Sequence, residues 1–496
     1  MGSASPVTIP SFLLPDRSLR ARRVRFGPLR LIAQGISPNL RGNPLVPAGF
    51  CDKKSLWPIK LTAWTRVLPK LQTLSTSEIF KKEKERRSNA LIAMTDTISR
   101  RELLKYSTAA AASAALGNLA MSQGKPGSQQ RVVVIMFDGF DPRYLAESKM
   151  PVLAQWKRDG IYKQVQGVIP SVTNANNASI CCGAWPETHG IIANSYFDEK
   201  SGEELYVESA DLVLAPTLFE RAARHGVKSA LLSSKAKTAT LLMRGAEIVL
   251  TAEHPEPEWV QKLGPAPEIY SREINYWLMG AAIDVLKTRP DIGVLYVHTT
   301  DYPMHTWAPE APESKEHLAR MDDLIGQAMK AAPDAAFLAT ADHGMNAKSL
   351  CWDLEQICAG KGVPIRKAVS TGRDRYMKHH RGCSGAAYIH LKDHKDAARV
   401  RDVISGVKGV ERILTREEAA KEFKLMASRI GHLVVLGDKD TVFGELDAER
   451  ESFPGLRSHG SMHELDVPLF VYHAKNAPSP DYFNHNLDLA RWLYPS

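Results

Sequence analysis

Three acids each close an apolar run in this 496-residue chain, and that placement is the first sign of chemistry. Val132-Val133-Val134-Ile135-Met136-Phe137 ends at Asp138, the run from Val294 to Thr300 ends at Asp301, and Ala335 to Ala341 ends at Asp342. Histidines stand at ligand-like spacings beside them. Asp301-x-x-x-His305 brings two donors together if the segment turns, vicinal Asp342-His343 sets two on one rim, and His459 follows in Arg457-Ser458-His459-Gly460. A single Asp at a strand end is ordinarily a cap and a single His is ordinarily packed structure, but six donors in this order are what a metal centre needs. Oxygen and nitrogen donors without thiolate suit Zn²⁺ in a catalytic role, with Mn²⁺ or Fe as alternatives. The stretch Ile169-Pro170-Ser171-Val172-Thr173-Asn174-Ala175-Asn176-Asn177-Ala178-Ser179 adds a polar turn leading into a helix of small residues. A hydroxyl at its head lies where helix amides favour an anion, and a metal there lowers its pKa toward use as a nucleophile.

Positioning these groups requires parallel strands. Continuous apolar runs read as strands buried on both faces, and helical stretches such as Pro216 to His225, closing at Gly226, and Tyr270 to Lys287 alternate with them. The fold class expected is therefore α/β with a largely parallel central sheet flanked by helices, functional groups gathering at the carboxyl ends of the strands. The expected organisation is a catalytic core over 131–345 and 456–496, with 346–455 inserted as a smaller α+β cap. Within that cap, Tyr376 to Arg381 is a candidate to face the site.

The chain carries +9 overall, but residues 1–93 hold 17 Lys and Arg against 5 Asp and Glu, so this segment alone carries +12. The basicity lies outside the expected folded body, where no basic patch is interleaved with aromatics, and a nucleic-acid-binding protein is excluded on that ground. Residues 1–93 show no sustained period and read as disordered or untranslated, with translation expected from Met94. Residues 94–130 then read as an export signal: Ser99-Arg100-Arg101-Glu102-Leu103-Leu104-Lys105, an Ala-rich stretch to Ala120 and a polar tail. The S-R-R-x-L-L-K text is similar to the bacterial twin-arginine address, which implies the twin-arginine machinery as a partner and a periplasmic location, a cytoplasmic one being the alternative. The apolar stretch is too short to be a stable membrane anchor. Six cysteines without paired spacing read as packed thiols.

Taken in order, FDG at Asp138, PSVTNANN at Thr173, PETHGI at His189, NSYFD at Asn194, TTDYPMH at Asp301 and His305, ADHGM at Asp342 and RSHG at His459 resemble the motifs of a known group. It is the alkaline phosphatase superfamily, in its nucleotide pyrophosphatase/phosphodiesterase branch, and the text is most like the phosphonoacetate hydrolases within that branch. The resemblance implies two zinc ions, one held by Asp138, Thr173, Asp342 and His343 and the other by Asp301, His305 and His459. It implies Thr173 as the nucleophile, His189 as a structural turn, and Asn194, Lys235 and Lys237 as contacts to a small anionic phosphonate or phosphate ester. Two Zn²⁺ against three carboxylates and a Thr alkoxide leave the site near neutral, so two added lysines suit a small, highly charged substrate. The implied reaction is cleavage of phosphonoacetate to acetate and phosphate. The alternative is a periplasmic phosphodiesterase or nucleotide pyrophosphatase on the same metals.

Overall fold

The computed structural model describes residues 130–495, without the side chains of His379 and His380; the expected upstream segment and twin-arginine signal therefore lie outside the described residues. The apolar runs become strands. In chain order β1 (Val132–Phe137), β2 (Ile161–Gln166), β3 (Lys228–Ser233), β4 (Ile248–Thr251), β5 (Ile292–His298) and β6 (Ala336–Ala341) are followed by β7 (Lys367–Ser370), β8 (Ala386–His390), β9 (Val410–Thr415) and β10 (Leu433–Gly437), with β11 (Asp466–Tyr472) last. Seven of these form one sheet in the order β2-β11-β6-β1-β5-β3-β4. β1 pairs in parallel with β5 and β6, and β3 in parallel with β5 and β4, whereas β11 runs antiparallel to both of its neighbours. The sheet is thus largely parallel and flanked by helices.

Register does the positioning. Met136 lies opposite His298 and Phe137 opposite Ala341, so the chain leaves β1, β5 and β6 at one edge of the sheet. Because β11 is antiparallel, its entrance lies at that same edge, which is how His459 arrives there from far downstream. The strand expected over Val294 to Thr300 is Ile292–His298, because Thr299 and Thr300 turn out of the sheet to bond the site's neighbours. Thr299 Oγ1 accepts from the Asp138 N–H, and the Thr300 N–H donates to Asn275.

Five helices matter to the site: α1 (Thr173–Cys182), α2 (Leu218–Arg224), α3 (Ala236–Leu242), α4 (Glu273–Thr288) and the short α5 (Tyr302–Thr306). α2 is shorter than the Pro216 to His225 expected because Thr217 and Glu220 form a reciprocal capping box at its start. α4 begins later than Tyr270, at Glu273. Apolar side chains of the main sheet and its helices merge into one large core, in which Trp156 stacks on Tyr472 at 5.6 Å and meets Phe337. Strands β7 to β10 form a separate antiparallel sheet, in the order β7-β8-β10-β9, with one apolar cluster of its own and a second shared with Ile169, Ile192 and Phe197. The five described cysteines are buried and free, the sulfurs of Cys351 and Cys383 lying 3.2 Å apart. Among the described residues no helix is long and apolar enough to cross a membrane.

Candidate metal centre

The edge of the sheet brings six donors into two groups, and each group is compact. Asp138, Asp342 and His343 are one set, Asp301, His305 and His459 the other; within each set the ligand atoms lie within 4.8 Å of one another, and all six residues are buried. In the first, His343 Nε2 is 3.4 Å from Asp138 Oδ1 and 3.5 Å from Asp342 Oδ2. Thr173, the first residue of α1, joins this set with its hydroxyl 3.4 Å from His343 Nε2. In the second, His305 Nε2 is 2.9 Å and His459 Nε2 3.9 Å from Asp301 Oδ2, which α5 allows because it places residues 301 and 305 one turn apart. The sets adjoin, since the His343 and His459 rings stack at 3.6 Å. Gly139 makes this possible. It has φ +76, and a Cβ there would come within 3.2 Å of the Asp301 and Met304 Cβ atoms.

The histidine rings are oriented by the backbone. His305 Nδ1 lies 2.7 Å from the Arg457 carbonyl, His459 Nδ1 2.8 Å from that of Ser171, and His343 Nδ1 2.9 Å from that of Gly344. A carbonyl only accepts, so each Nδ1 carries a proton and each Nε2 is the ring atom turned into the site, the orientation a metal ligand requires; His305 Nε2 meets Asp301 Oδ2 there at 2.9 Å. Burial holds the His343 and His459 pKa values below the ordinary range and so keeps both rings neutral. Asp138 Oδ1 is buried with no hydrogen-bond partner, a costly state that a bound cation relieves. Burial and the Asp138 charge push the Asp342 carboxyl well above its usual range. Inward-turned Nε2 atoms, an orphaned carboxylate oxygen and three carboxylates in a buried cluster fit two divalent cations.

His189 sits in neither set. Its Nδ1 accepts the Ile191 N–H, its Nε2 meets Ser179 Oγ at 2.8 Å, and burial lowers its pKa to about 3. Both nitrogens are occupied in a turn.

The residues expected around a substrate fall into three positions. Asn194 lies at the head of α1, its side-chain oxygen accepting the Asn174 N–H at 2.9 Å and its NH₂ donating to the Gly372 carbonyl at 3.3 Å. Lys235 does not face outward. Its ammonium lies 2.7 Å from Asp138 Oδ2 and 2.7 Å from Asp301 Oδ1, joining the two sets. Burial opposes its charge, but the two carboxylates outweigh that and hold its pKa well above the ordinary lysine value. Lys237, at the start of α3, pairs instead with Asp374 from the segment between β7 and β8. The Tyr376 ring packs against both ammonium groups, at 5.8 Å and 5.2 Å.

Three residues near the centre had no role in the sequence reading. Asn177 donates to Asp342 Oδ2 at 3.3 Å and to the Thr173 carbonyl, and its place one turn along α1 from Thr173 was a usable signal. His298 ends β5 with Nε2 3.4 Å from Asp138 Oδ2 and was hidden inside an apolar run. Asp374 had no signal, because only the inserted sheet brings it here.

Residues 132–462 match the family model described as type I phosphodiesterase / nucleotide pyrophosphatase. The chain belongs to this family. Its fold is that of the alkaline phosphatase superfamily. The chain is 26% identical over 236 residues to a venom phosphodiesterase of Naja atra, covering 45% of this chain and 27% of that protein. It is 25% identical over 230 residues to the human ectonucleotide pyrophosphatase/phosphodiesterase family member 1, covering 43% and 23%. The matched region thus spans about a quarter of the length of these curated relatives. Among solved structures, phosphonoacetate hydrolase from Sinorhizobium meliloti 1021, in complex with phosphonoformate, is similar with a TM-score of 0.66 and 27% identity, over 74% of this chain and 95% of that one. Murine ectonucleotide pyrophosphatase / phosphodiesterase 5 shares the fold at a TM-score of 0.54 and 17% identity, over 69% and 88%.

Proposed function

We propose that this family member is a dizinc hydrolase that cleaves the carbon–phosphorus bond of phosphonoacetate, with Thr173 as nucleophile. The observation that carries the reading is Lys237. It is a buried cation two residues beyond Lys235 that no metal-ligand carboxylate holds, and a substrate with a second anionic group would use it. The similarity to the Sinorhizobium meliloti phosphonoacetate hydrolase over nearly all of that chain supports the same choice.

Asp138, Thr173, Asp342 and His343 would hold one cation, and Asp301, His305 and His459 the other. When bound, the two cations supply Lewis acidity that lowers the pKa of a hydroxyl and neutralises phosphonyl oxygens. Thr173 Oγ1, its proton given up to water, forms the new bond to phosphorus as the carbon–phosphorus bond breaks. The electron pair goes to the methylene carbon, where the adjoining carboxylate delocalises it as an enolate before protonation by water gives acetate. Lys237 offsets the charge that this carboxylate gains, and Asn194 can turn a side-chain N–H toward a phosphonyl oxygen. Water then cleaves the phosphothreonine to release phosphate. Lys235, at the join of the two sets, adds positive charge beside an anion lying across them.

A phosphodiesterase or nucleotide pyrophosphatase on the same residues is the second reading, favoured by the family description and by the venom relative. Relative turnover by the zinc-loaded protein separates the two. Phosphonoacetate is expected to outrun an aryl phosphodiester and an aryl phosphomonoester; fastest cleavage of the diester would overturn the proposal. We also propose export of the folded protein by the twin-arginine route, for which Arg100-Arg101 and the Ala-rich stretch are the support. Mutating both arginines to lysine should trap the enzyme in the host cytoplasm, and unchanged periplasmic yield would refute the route.

A further inference from the structure

Two lysines enter the centre from the start of α3, and their charges are spent differently. Lys235 is held by carboxylates of both donor sets, whereas Lys237 is held by Asp374, which belongs to no set. Both partners of this second pair are buried, with side-chain exposures of 1% and 5%. Asp374 is also anchored on its own segment. Its Oδ1 accepts the Tyr376 N–H at 2.7 Å, and the Tyr376 hydroxyl donates to Glu253 Oε2 at 2.7 Å, tying the segment to the main body.

A carboxylate here is at odds with a centre whose substrates are anions. Any anionic group that reaches Lys237 must take the place Asp374 occupies, or lie beside a like charge in a low-dielectric site. Replacing one carboxylate–ammonium pair by another leaves Lys237 paired before and after but strips the buried Asp374 carboxylate of its ammonium, so a ligand with a second anionic group binds against the cost of displacing Asp374. A ligand with only its phosphonyl charge has nothing to exchange, and Asp374 stays where it is.

We propose that Asp374 is a specificity-determining residue, its carboxylate occupying in the free protein the seat on Lys237 that the second anionic group of a substrate takes in the complex. This rests on the proposed function only in requiring a substrate with two anionic groups. Asp374 thereby sets how strongly such a ligand binds, and removing its charge gives the seat up without competition.

Binding separates this from turnover. Calorimetric titration of the zinc-loaded protein with phosphonoformate, which carries a carboxylate, and with methylphosphonate, which does not, gives a ratio of affinities. Asp374→Asn keeps an oxygen for the Tyr376 N–H and removes the charge, and it should raise the preference for phosphonoformate about tenfold, within the usual range of coupling between sites. Asp374→Ser, also able to accept from that N–H, should do the same and covers the case in which the first variant does not fold. A ratio that is unchanged or lower overturns the proposal and makes Asp374 a positioning group for Lys237; no phosphonoformate binding by any of the three proteins overturns it too. Wild-type protein that fails to turn over phosphonoacetate while the ratio rises would sink the proposed substrate and leave this inference standing.

Discussion

Replacing Lys235 by Met should damage the metal-free protein far more than the metal-loaded one. In the free protein one buried ammonium lies 2.7 Å from a carboxylate of each donor set, all three side chains being at most 2% exposed. Breaking a buried pair by deleting one partner costs about 3–5 kcal/mol, because the remaining charge is left without compensation. Met is unbranched and of similar reach, so little of that loss comes from packing. With both cations bound the carboxylates are already neutralised, and the expected loss falls to about 1 kcal/mol, the scale of one hydrogen bond. Zinc should therefore stabilise the variant more than it stabilises the wild type. Urea unfolding followed by circular dichroism, in chelator and in zinc, reads both numbers. The chelator arm also has a predicted pH dependence. Lys235 and His298 hold the Asp138 carboxyl below the ordinary range against burial and the Asp301 charge. That contribution is present above the unfolded carboxyl value of about 3.9 and is lost as pH falls through the lower folded value, so the two proteins should converge in acid. Equal losses with and without zinc, or no loss in chelator, would show that Lys235 does not neutralise the two carboxylates.

Thr173→Ala removes the attacking oxygen and should lower kcat by at least about 10⁴-fold, while Thr173→Ser keeps measurable turnover; an Ala variant with wild-type kcat would remove Thr173 from the chemistry. His189 and His317 are buried and neutral, with burial lowering each pKa to about 3. Below about pH 6.5 the unfolded chain takes up a proton at each and the folded chain does not, so stability should fall by up to about 1.4 kcal/mol per pH unit per histidine until the folded value is reached. His317→Phe should make the urea midpoint less steep between pH 6 and 4, and an unaltered slope would count against the assignment.

The sheet edge was legible because buried parallel strands are written as unbroken apolar runs. Val132–Phe137 is read to the residue, and Asp138 and Asp342 follow their strands directly. His459 was harder, since nothing local says that an antiparallel strand far downstream of β1 joins the same edge; only its motif marked it. Lys235 and Lys237 could be placed near the centre but not told apart, because their partners, Asp138 and Asp301 for one and Asp374 for the other, come from separate parts of the chain. Asp374 lies in a stretch with neither strand nor helix period, delivered by the packing of β7 and β8. The orientation of the histidine rings was equally invisible, since it depends on the carbonyls of Arg457, Ser171 and Gly344.

Cleavage of a carbon–phosphorus bond is the property that decides what this centre does. Incubating the zinc-loaded protein with phosphonoacetate and following phosphorus by NMR should show inorganic phosphate appearing as the phosphonate signal declines, with one acetate released per phosphate. A phosphonate signal that stays constant, in a preparation that hydrolyses an aryl phosphodiester, would contradict it.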